Sequence, residues 1–284
     1  MAERLAGIVT QIQNVRQLGA VVTAMRGIAA LRAQEGRSLL AGIEAYTDVV
    51  SRSIGQALNL LSTDTLASAP PRHAKRGLIL FCAEQGFAGP FSERVFEAAA
   101  GDLAQATSIV VGSRGVALAS ERGIKLDWSA AMTTRVDGIP NFANRLAEVL
   151  YGYLAQGAIT AADIIFSRSI PGGIRIDRHS LLPIDFGRVA RPIETQAPLI
   201  ALAPELLLER LAAEYVYAQL CEAAMHAFVA ENEARMVAMV GAKNNSETKL
   251  AALLQRERQL RHEEITTEIV ELVAGAEASR TAGK

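Results

Sequence analysis

Few residues of this 284-residue chain have types and spacings that support chemistry. The segment Val111–Gly115 reads VGSRG, follows an apolar run and resembles a phosphate-binding turn, because a helix N-terminus attracts anions. It lacks the full glycine fingerprint and the lysine of a P-loop, so an ordinary strand–helix turn is the stronger interpretation. The four histidines share no metal-ligand spacing: His73, His179, His226 and His262. The sequence therefore predicts no catalytic, cofactor or metal site.

Composition excludes several other functions. The net charge is −1, from 29 basic and 30 acidic residues, which argues against binding to nucleic acid or an anionic membrane surface. Only two cysteines are present, Cys82 and Cys221, and their apolar contexts predict buried free thiols in a reducing cytoplasm. No apolar run reaches about 18 residues, so we expect membrane association only through a partner.

The distribution of proline defines the organisation of the chain. All nine prolines lie between Pro70 and Pro204, and proline breaks helices. Both flanking segments keep a helical apolar period, which predicts two long terminal helices that pair only with each other as an antiparallel, left-handed coiled coil. The expected product is a rod with a globular knob. In the first helix the predicted apolar stripe is Leu5, Ile8, Ile12, Val15, Leu18, Val22, Met25 and Ala29.

The proline-containing middle has the pattern of a small α/β domain. Short apolar runs at 78–82, 108–111 and 163–166 predict buried strands. Segment 124–128 predicts an edge strand, and 174–184 alternates loosely. Helices are expected over 91–104, 112–120 and 140–156, which implies a Rossmann-like layer with parallel pairing. The predicted domains are 1–69, 70–204 and 205–284, with a linker over 62–73.

Two features of the terminal helices call for an explanation. The first helix carries six glycines, which indicate close helix–helix approach or a bend: Gly7, Gly19, Gly27, Gly36, Gly42 and Gly55. In the last helix a charged block, Glu257–Glu264, precedes a small, apolar segment, Ile265–Ala276. The block is either a solvated face or a contact for charged loops of a partner. The apolar segment is either covered by the first helix or inserted into another protein.

These residues resemble the gamma subunit of rotary F-type ATP synthases over essentially the whole chain. Glu231–Met239 reads ENEARMVAM and is similar to the family pattern E-x-x-A-R-M-x-A-M. Arg261–Ala276 reads RHEEITTEIVELVAGA and is similar to R-Q-x-x-I-T-x-E-I-x-E-I-V-x-G-A. Ile8–Ala30 is similar to the I-x-x-x-I and T-x-A-M-x-x-x-A-A framework at Ile8, Ile12, Thr23-Ala24-Met25 and Ala29-Ala30.

The chain also departs from the family pattern. Ala20 and Thr23 replace the family's lysines, and His262 replaces its glutamine. The motif L-C-G-G-F-N appears as Phe87–Ser92, and the D-N pair appears as Asn244-Asn245. The chain resembles a divergent member, of the kind represented by the alternate, sodium-linked N-ATPase. Proton or sodium coupling, and synthesis or hydrolysis as the main direction, stay open.

The resemblance implies a central rotor stalk that couples ion flow through the membrane ring to rotary catalysis of ATP synthesis or hydrolysis. It implies no catalytic residue and no cofactor in this chain. The implied partners are the alpha and beta subunits of the catalytic hexamer, the epsilon subunit and the membrane c-ring, with no nucleic acid. The implied location is peripheral, on the cytoplasmic face of the inner cell membrane. The implied rotor–stator contacts are Met25, Arg235, Arg261, His262, Thr266, Glu268 and Ile269.

Two other hypotheses remain at this point. A stand-alone α/β protein that binds a nucleotide or metabolite, dimerised through its long helices, would bind its ligand at 112–115. A passive coiled-coil scaffold would form a symmetric homo-oligomer. The rotor hypothesis instead predicts a single copy in each complex.

Overall fold

The computed structural model describes residues 2–61, 75–185 and 199–282. It confirms two long terminal helices with a mixed α/β layer between them. The predicted linker, 62–73, lies outside the described residues. The helices are α1 (Ala2–Asn59), α2 (Phe91–Ala99), α3 (Ser113–Glu121), α4 (Ile139–Ala155) and α5 (Pro204–Ala282). The strands are β1 (Arg76–Phe81), β2 (Thr107–Val111), β3 (Trp128–Ala130), β4 (Ala161–Ile170) and β5 (Gly173–Leu182).

The chain divides into two compact units. The helical unit contains Met1–Ile28 and Val237–Lys284, and the sheet unit contains Ala29–Met236. Each long helix contributes one part to each unit. The two units are described separately below.

The helical unit is held together by a narrow seam on each helix. In both helices a series of the less exposed residues follows alternating spacings of three and four, the heptad pattern of left-handed coiled coils. On α1 these residues are Leu5, Ile8, Ile12, Val15, Gly19, Val22 and Arg26. On α5 they are Met239, Lys243, Ser246, Leu250, Leu253, Glu257, Leu260 and Glu264.

The predicted stripe on α1 is wrong at Leu18, which is 55% exposed. After Val15 the heptad spacing places Gly19, and not Leu18, on the seam. Since glycine has no side chain to fill that place, the helices leave an open groove of about 570 Å³ beside it. Lys243 and Leu250 line the α5 side of this groove.

The sheet unit is built on five strands in the order β3-β2-β1-β4-β5. The pairs β2–β3, β1–β2 and β1–β4 are parallel, whereas β4–β5 is antiparallel. The expected parallel pairing is therefore correct for four strands and wrong for β5. A tight turn joins β4 to β5, and Gly172 adopts a positive φ of 88° there, which glycine allows without strain.

Both faces of the sheet are covered, as the continuous apolar runs predict. Successive residues of β1 point to opposite faces, so Leu78 and Leu80 pack with α2 and α3. Ile79 and Phe81 face the other way and pack with α4 and α5. The main core therefore lies between the sheet and these last two helices.

The expectation that the long helices pair only with each other is wrong. Val216, Leu220, Ala224 and Phe228 of α5 are buried in the main core beneath the sheet. This part of α5 is rich in buried alanines and large apolar residues, so it covers sheet surface that α4 alone would leave exposed. The end of α1 and the start of α5 do pair with each other. Val50, Ile54 and Leu58 of α1 pack there against Leu208, Leu211 and Tyr215 of α5.

Two local expectations are corrected by the backbone hydrogen bonds. The edge strand is Trp128–Ala130, not 124–128, because the Ile124 N–H donates to the Ala119 carbonyl and closes the end of α3. Ile124 and Leu126 then pack on the second core as loop residues. The helix expected over 91–104 ends at Ala99, and turns follow it.

The glycines of α1 give a matched test of packing. A Cβ at Gly36 would lie 2.6 Å from Cγ2 of the buried Val229, whereas a Cβ at Gly42 would meet no atom within 4 Å. Close approach of α1 to α5 therefore explains the glycine at position 36 but not the glycine at position 42. We expect Gly36→Ala to lower the free energy of unfolding by about 1–2 kcal/mol through overpacking. Gly42→Ala should raise it by about 0.5–1 kcal/mol through helix propensity.

Urea unfolding of the two alanine variants beside the wild type checks this prediction. Both changes add one methyl group to the same helix, so propensity alone would shift both midpoints upward. Equal stabilisation of both variants would contradict the close packing of Gly36 on Val229.

Candidate functional site

The last turns of α5 expose an apolar surface within the helical unit. Ile265, Ile269, Leu272 and Val273 stand at i, i+4, i+7 and i+8, so they form one face of the helix. With Val270, these side chains are 47% to 73% exposed, whereas Leu260, just before them, is buried. We call these five residues the C-terminal apolar face. Every residue from 265 to 276 is exposed, so the described part of α1 does not cover this face.

The charged block before this face is mostly solvated. Arg261 donates to Oε1 of Glu257 at 2.7 Å, one helical turn away, and pairs of this kind contribute a few tenths of a kcal/mol. Only Leu260 is buried within the block. The block therefore presents most of its charges to the surroundings, while Glu257 and Glu264 are half-buried on the seam.

The structure separates the predicted contact residues into three groups. Arg261, His262, Thr266, Glu268 and Ile269 are exposed on the last part of α5, and Met25 is half-buried on α1. Arg235, by contrast, is only 4% exposed and lies in the sheet unit. A direct partner contact stays a prediction for all seven. The geometry assigns Arg235 a further, internal contact.

Arg235 belongs to a buried network that fastens a loop to α5. Its guanidinium donates to the carbonyls of Gly86 at 3.1 Å and Gln85 at 3.2 Å, and to the carboxylate of Glu231. Glu231 in turn accepts the backbone N–H groups of Glu84 and Gln85, both at 3.0 Å. We call Glu231, Arg235 and the backbone of residues 84–86 the buried anchor. Desolvation of this ion pair is offset by the additional hydrogen bonds.

The loop held by the buried anchor carries an exposed aromatic ring. Phe87 is 66% exposed and has a positive φ of 62°. That conformation is unfavourable for a bulky residue and persists only where the surroundings fix the backbone. The hydrogen bonds to the preceding residues of the loop supply such a constraint.

The turn at Gly112–Gly115 is occupied by the protein's own carboxylate. Glu84 accepts hydrogen bonds from the backbone N–H of Ser113 at 3.0 Å, from the Ser113 hydroxyl at 2.7 Å and from the N–H of Met132 at 2.8 Å. An anion at the N-terminus of α3 would meet this negative charge. Gly112 is required because a Cβ there would lie 2.4 Å from the Cys82 carbonyl oxygen. These contacts support the ordinary strand–helix turn.

Both cysteines are buried free thiols, as the sequence predicts. Burial raises the pKa of Cys82 to about 12. Burial also raises the pKa of Cys221. Since the thiolate is the reactive form, neither thiol is placed for nucleophilic chemistry at neutral pH.

Comparison with known proteins identifies the family. The family model described as ATP synthase matches residues 4–278, nearly the whole chain. The chain belongs to this ATP synthase family. Its relatives in the family include the ATP synthase gamma chain of Clavibacter sepedonicus, 23% identical, with 98% of each chain covered. The gamma chain of Moorella thermoacetica is 24% identical, with 94% of this chain and 96% of the relative covered.

Solved ATP synthase structures share the fold. A chain in the cryo-EM structure of the Euglena gracilis mitochondrial ATP synthase, OSCP/F1/c-ring, rotational state 3, has a TM-score of 0.69 at 11% identity. That match covers 100% of this chain and 97% of the other. A chain of the central stalk and c-ring of the Tetrahymena thermophila mitochondrial ATP synthase has a TM-score of 0.58 at 16% identity. It covers 78% of this chain and 99% of the other.

The sequence of this ATP synthase family member did not reveal that Glu84 and Glu231 hold its loops through hydrogen bonds. Glu84 and Glu231 are far apart in the chain, and their shared role depends on the fold that brings them together. A partial signal was present, since Glu231 and Arg235 stand at i and i+4 inside the ENEARM block.

None of the described helices contains a stretch both long and apolar enough to span a membrane.

Proposed function

We propose that this chain is the central rotor stalk of an F-type ATP synthase. In this role it couples ion flow through a membrane ring to rotary catalysis in the surrounding subunits. Membership of the ATP synthase family over residues 4–278 supports the proposal. The observation in the structure that carries it is the uncovered C-terminal apolar face. Such a face at a helix end is unfavourable in water and is typical of a surface that another protein covers.

The chemistry of this face suits a turning contact. Apolar contacts are non-directional, so they exclude water without favouring one rotational position. Arg261 and Glu268 stand exposed near the face and can form ion pairs that break and re-form with successive partner loops. We therefore propose that the apolar face bears the shaft and that the exposed charges transmit torque.

The finer assignments follow from this role. The alpha and beta subunits would surround the end of α5, and the epsilon subunit and c-ring would contact the α/β region. The chain would be a non-catalytic subunit, peripheral to the cytoplasmic face of the membrane, because ATP chemistry would belong to the surrounding subunits. We retain 1–69, 70–204 and 205–284 as its functional segments.

The alternative, a stand-alone protein that binds a nucleotide or metabolite at the Gly112–Gly115 turn, is less well supported. Glu84 already accepts the free N–H of Ser113 there. A bound phosphate would have to displace this carboxylate and then remain near its charge.

Subunit stoichiometry tests the proposal. The tagged chain is purified from detergent-solubilised native membranes, and the complex is weighed by native mass spectrometry. The proposal predicts one copy of the chain with three pairs of large nucleotide-binding subunits. A free monomer or a symmetric homodimer would contradict it, and nucleotide binding to the isolated chain would favour the alternative.

A substitution at His262 tests the family alignment of the charged block. His262 is exposed, so His262→Gln, which restores the family residue, should change the free energy of unfolding by less than about 0.5 kcal/mol. We expect ATP-driven ion pumping to be unchanged or improved in reconstituted vesicles. Failure of the variant chain to assemble would show that His262 makes a contact that glutamine cannot replace.

A further inference from the structure

His226 of α5 is buried in the sheet unit with an unsatisfied ring nitrogen. The residue is 5% exposed, and its Nε2 atom has no hydrogen-bond partner. This nitrogen faces two carboxylates, with Glu44 Oε1 on α1 at 3.6 Å and Glu222 Oε1 on α5 at 3.8 Å. A buried polar atom left without a partner is costly, so its environment calls for a ligand or a proton.

Several neighbours fix the position of the imidazole ring. Phe166 of β4 stacks on it with a centroid distance of 5.8 Å and an interplanar angle of 17°. Glu222 precedes His226 by one helical turn, so both side chains lie on the same face of α5. Glu44 comes from the other long helix and closes the group from the opposite side. The fold therefore brings these three residues together, and the spacing of histidines in the sequence could not predict the site.

The three donor atoms lie close enough together to converge on one metal ion after a local adjustment. Zn²⁺ binds imidazole nitrogen and carboxylate oxygen at about 2.0–2.2 Å, which places tetrahedral ligands about 3.4 Å apart. The three atoms all lie within 4.8 Å of one another, and both separations from Nε2 are below 4 Å. To share one ion, the carboxylate oxygens would have to approach Nε2 by about 0.2–0.4 Å and each other by up to about 1.4 Å, which side-chain rotation can provide, with a fourth position left for water.

One positively charged side chain, Arg168, already contacts the two carboxylates of the cluster. Arg168 lies 3.5 Å from Glu222 Oε1 and 3.9 Å from Glu44 Oε1. Its shorter bond, 2.7 Å, is to Asp177. A metal ion would therefore compete with Arg168 for these two oxygens, and the bond to Asp177 gives the guanidinium another partner when the metal binds.

We propose that Glu44, Glu222 and His226 form a binding site for a divalent transition-metal ion of the zinc class. The donor set of one imidazole and two carboxylates suits Zn²⁺ better than Mg²⁺, which prefers oxygen ligands in octahedral geometry. A bound ion would connect α1 to α5 where both helices pack beside the sheet. It would therefore stabilise the sheet unit without taking part in ATP chemistry.

The test uses the full chain, cleared of metal with a chelator, and Zn²⁺ alone as the probe. Isothermal titration calorimetry should give one Zn²⁺ per chain, and Zn²⁺ should raise the melting temperature. His226→Gln and Glu222→Gln should each weaken binding at least about tenfold and abolish the thermal shift. His262→Gln is the matched control, because it removes an exposed histidine far along the same helix and should leave binding unchanged. Circular dichroism verifies that each variant is folded.

Two results would overturn the proposal. One is the absence of Zn²⁺ binding by the wild type, or equal weakening by His226→Gln and His262→Gln. The other is a rise in melting temperature with Zn²⁺ that His226→Gln and Glu222→Gln leave unchanged. Neither outcome depends on the rotor proposal, because the measurements use the isolated chain.

Discussion

Replacing Arg235 with methionine is expected to lower the free energy of unfolding by about 3–5 kcal/mol. The change removes the cation of the buried anchor and leaves the carboxylate of Glu231 desolvated without its charge partner. It also leaves the Gln85 and Gly86 carbonyls without the donors they have now. Because the free energy of unfolding of a typical domain is only about 5–15 kcal/mol, the loss should be visible in urea unfolding and in the yield of assembled complex.

Two matched variants separate this effect from a general sensitivity to arginine loss. Arg37→Met removes an arginine that pairs with Glu233 but is 57% exposed, so it should cost no more than about 1 kcal/mol. The double variant Glu231→Gln/Arg235→Met removes both charges and should be more stable than Arg235→Met alone. A double variant that is less stable than Arg235→Met would contradict the argument that the single variant is destabilised by the unpaired, buried charge of Glu231.

Truncation before Ile265 is expected to reduce coupling strongly and thermal stability little. The residues removed from the C-terminal apolar face are exposed, so the isolated chain loses little buried surface and its unfolding free energy should change by less than about 0.5 kcal/mol. The complex, however, loses the surface that we propose as the bearing. ATP-driven ion pumping in vesicles should fall severalfold relative to ATP hydrolysis.

A milder variant tests the same face without shortening the helix. Leu272→Ser with Val273→Ser removes apolar surface, and Glu271→Gln alters the same turn without doing so. We expect the serine variant to lose coupling and the glutamine variant to retain it. Equal losses of melting temperature and coupling in the serine variant would mean that the face stabilises the chain itself.

The sequence predicted those parts of the fold that depend on local pattern. Proline placement and apolar period predicted both long helices, and the short apolar runs predicted β1, β2 and β4. The error at Leu18 arose because an apolar residue one position from the seam fits a helical stripe nearly as well as the seam residue, Gly19. The burial of α5 beneath the sheet was not predicted, because the spacing of apolar residues identifies an apolar face of a helix but not the surface that packs against it.

The candidate sites divide in the same way. The C-terminal apolar face lies within one helix, so residue order alone predicted the face, but whether α1 covers it stayed open until the structure showed these residues exposed. The buried anchor and the group around His226 each combine side chains or backbone from segments far apart in the chain. Glu231 with Glu84, and Glu44 with Glu222, become neighbours only after the sheet and both long helices have packed.

The most direct test of the rotor role is observation of rotation. Both native cysteines are buried, so Ser120→Cys would place the one reactive thiol on an exposed position of α3, where a visible probe can be attached. The complex is immobilised through its catalytic subunits and supplied with ATP. The rotor account predicts that the probe turns in one direction while ATP is hydrolysed. Hydrolysis with a stationary probe would contradict it.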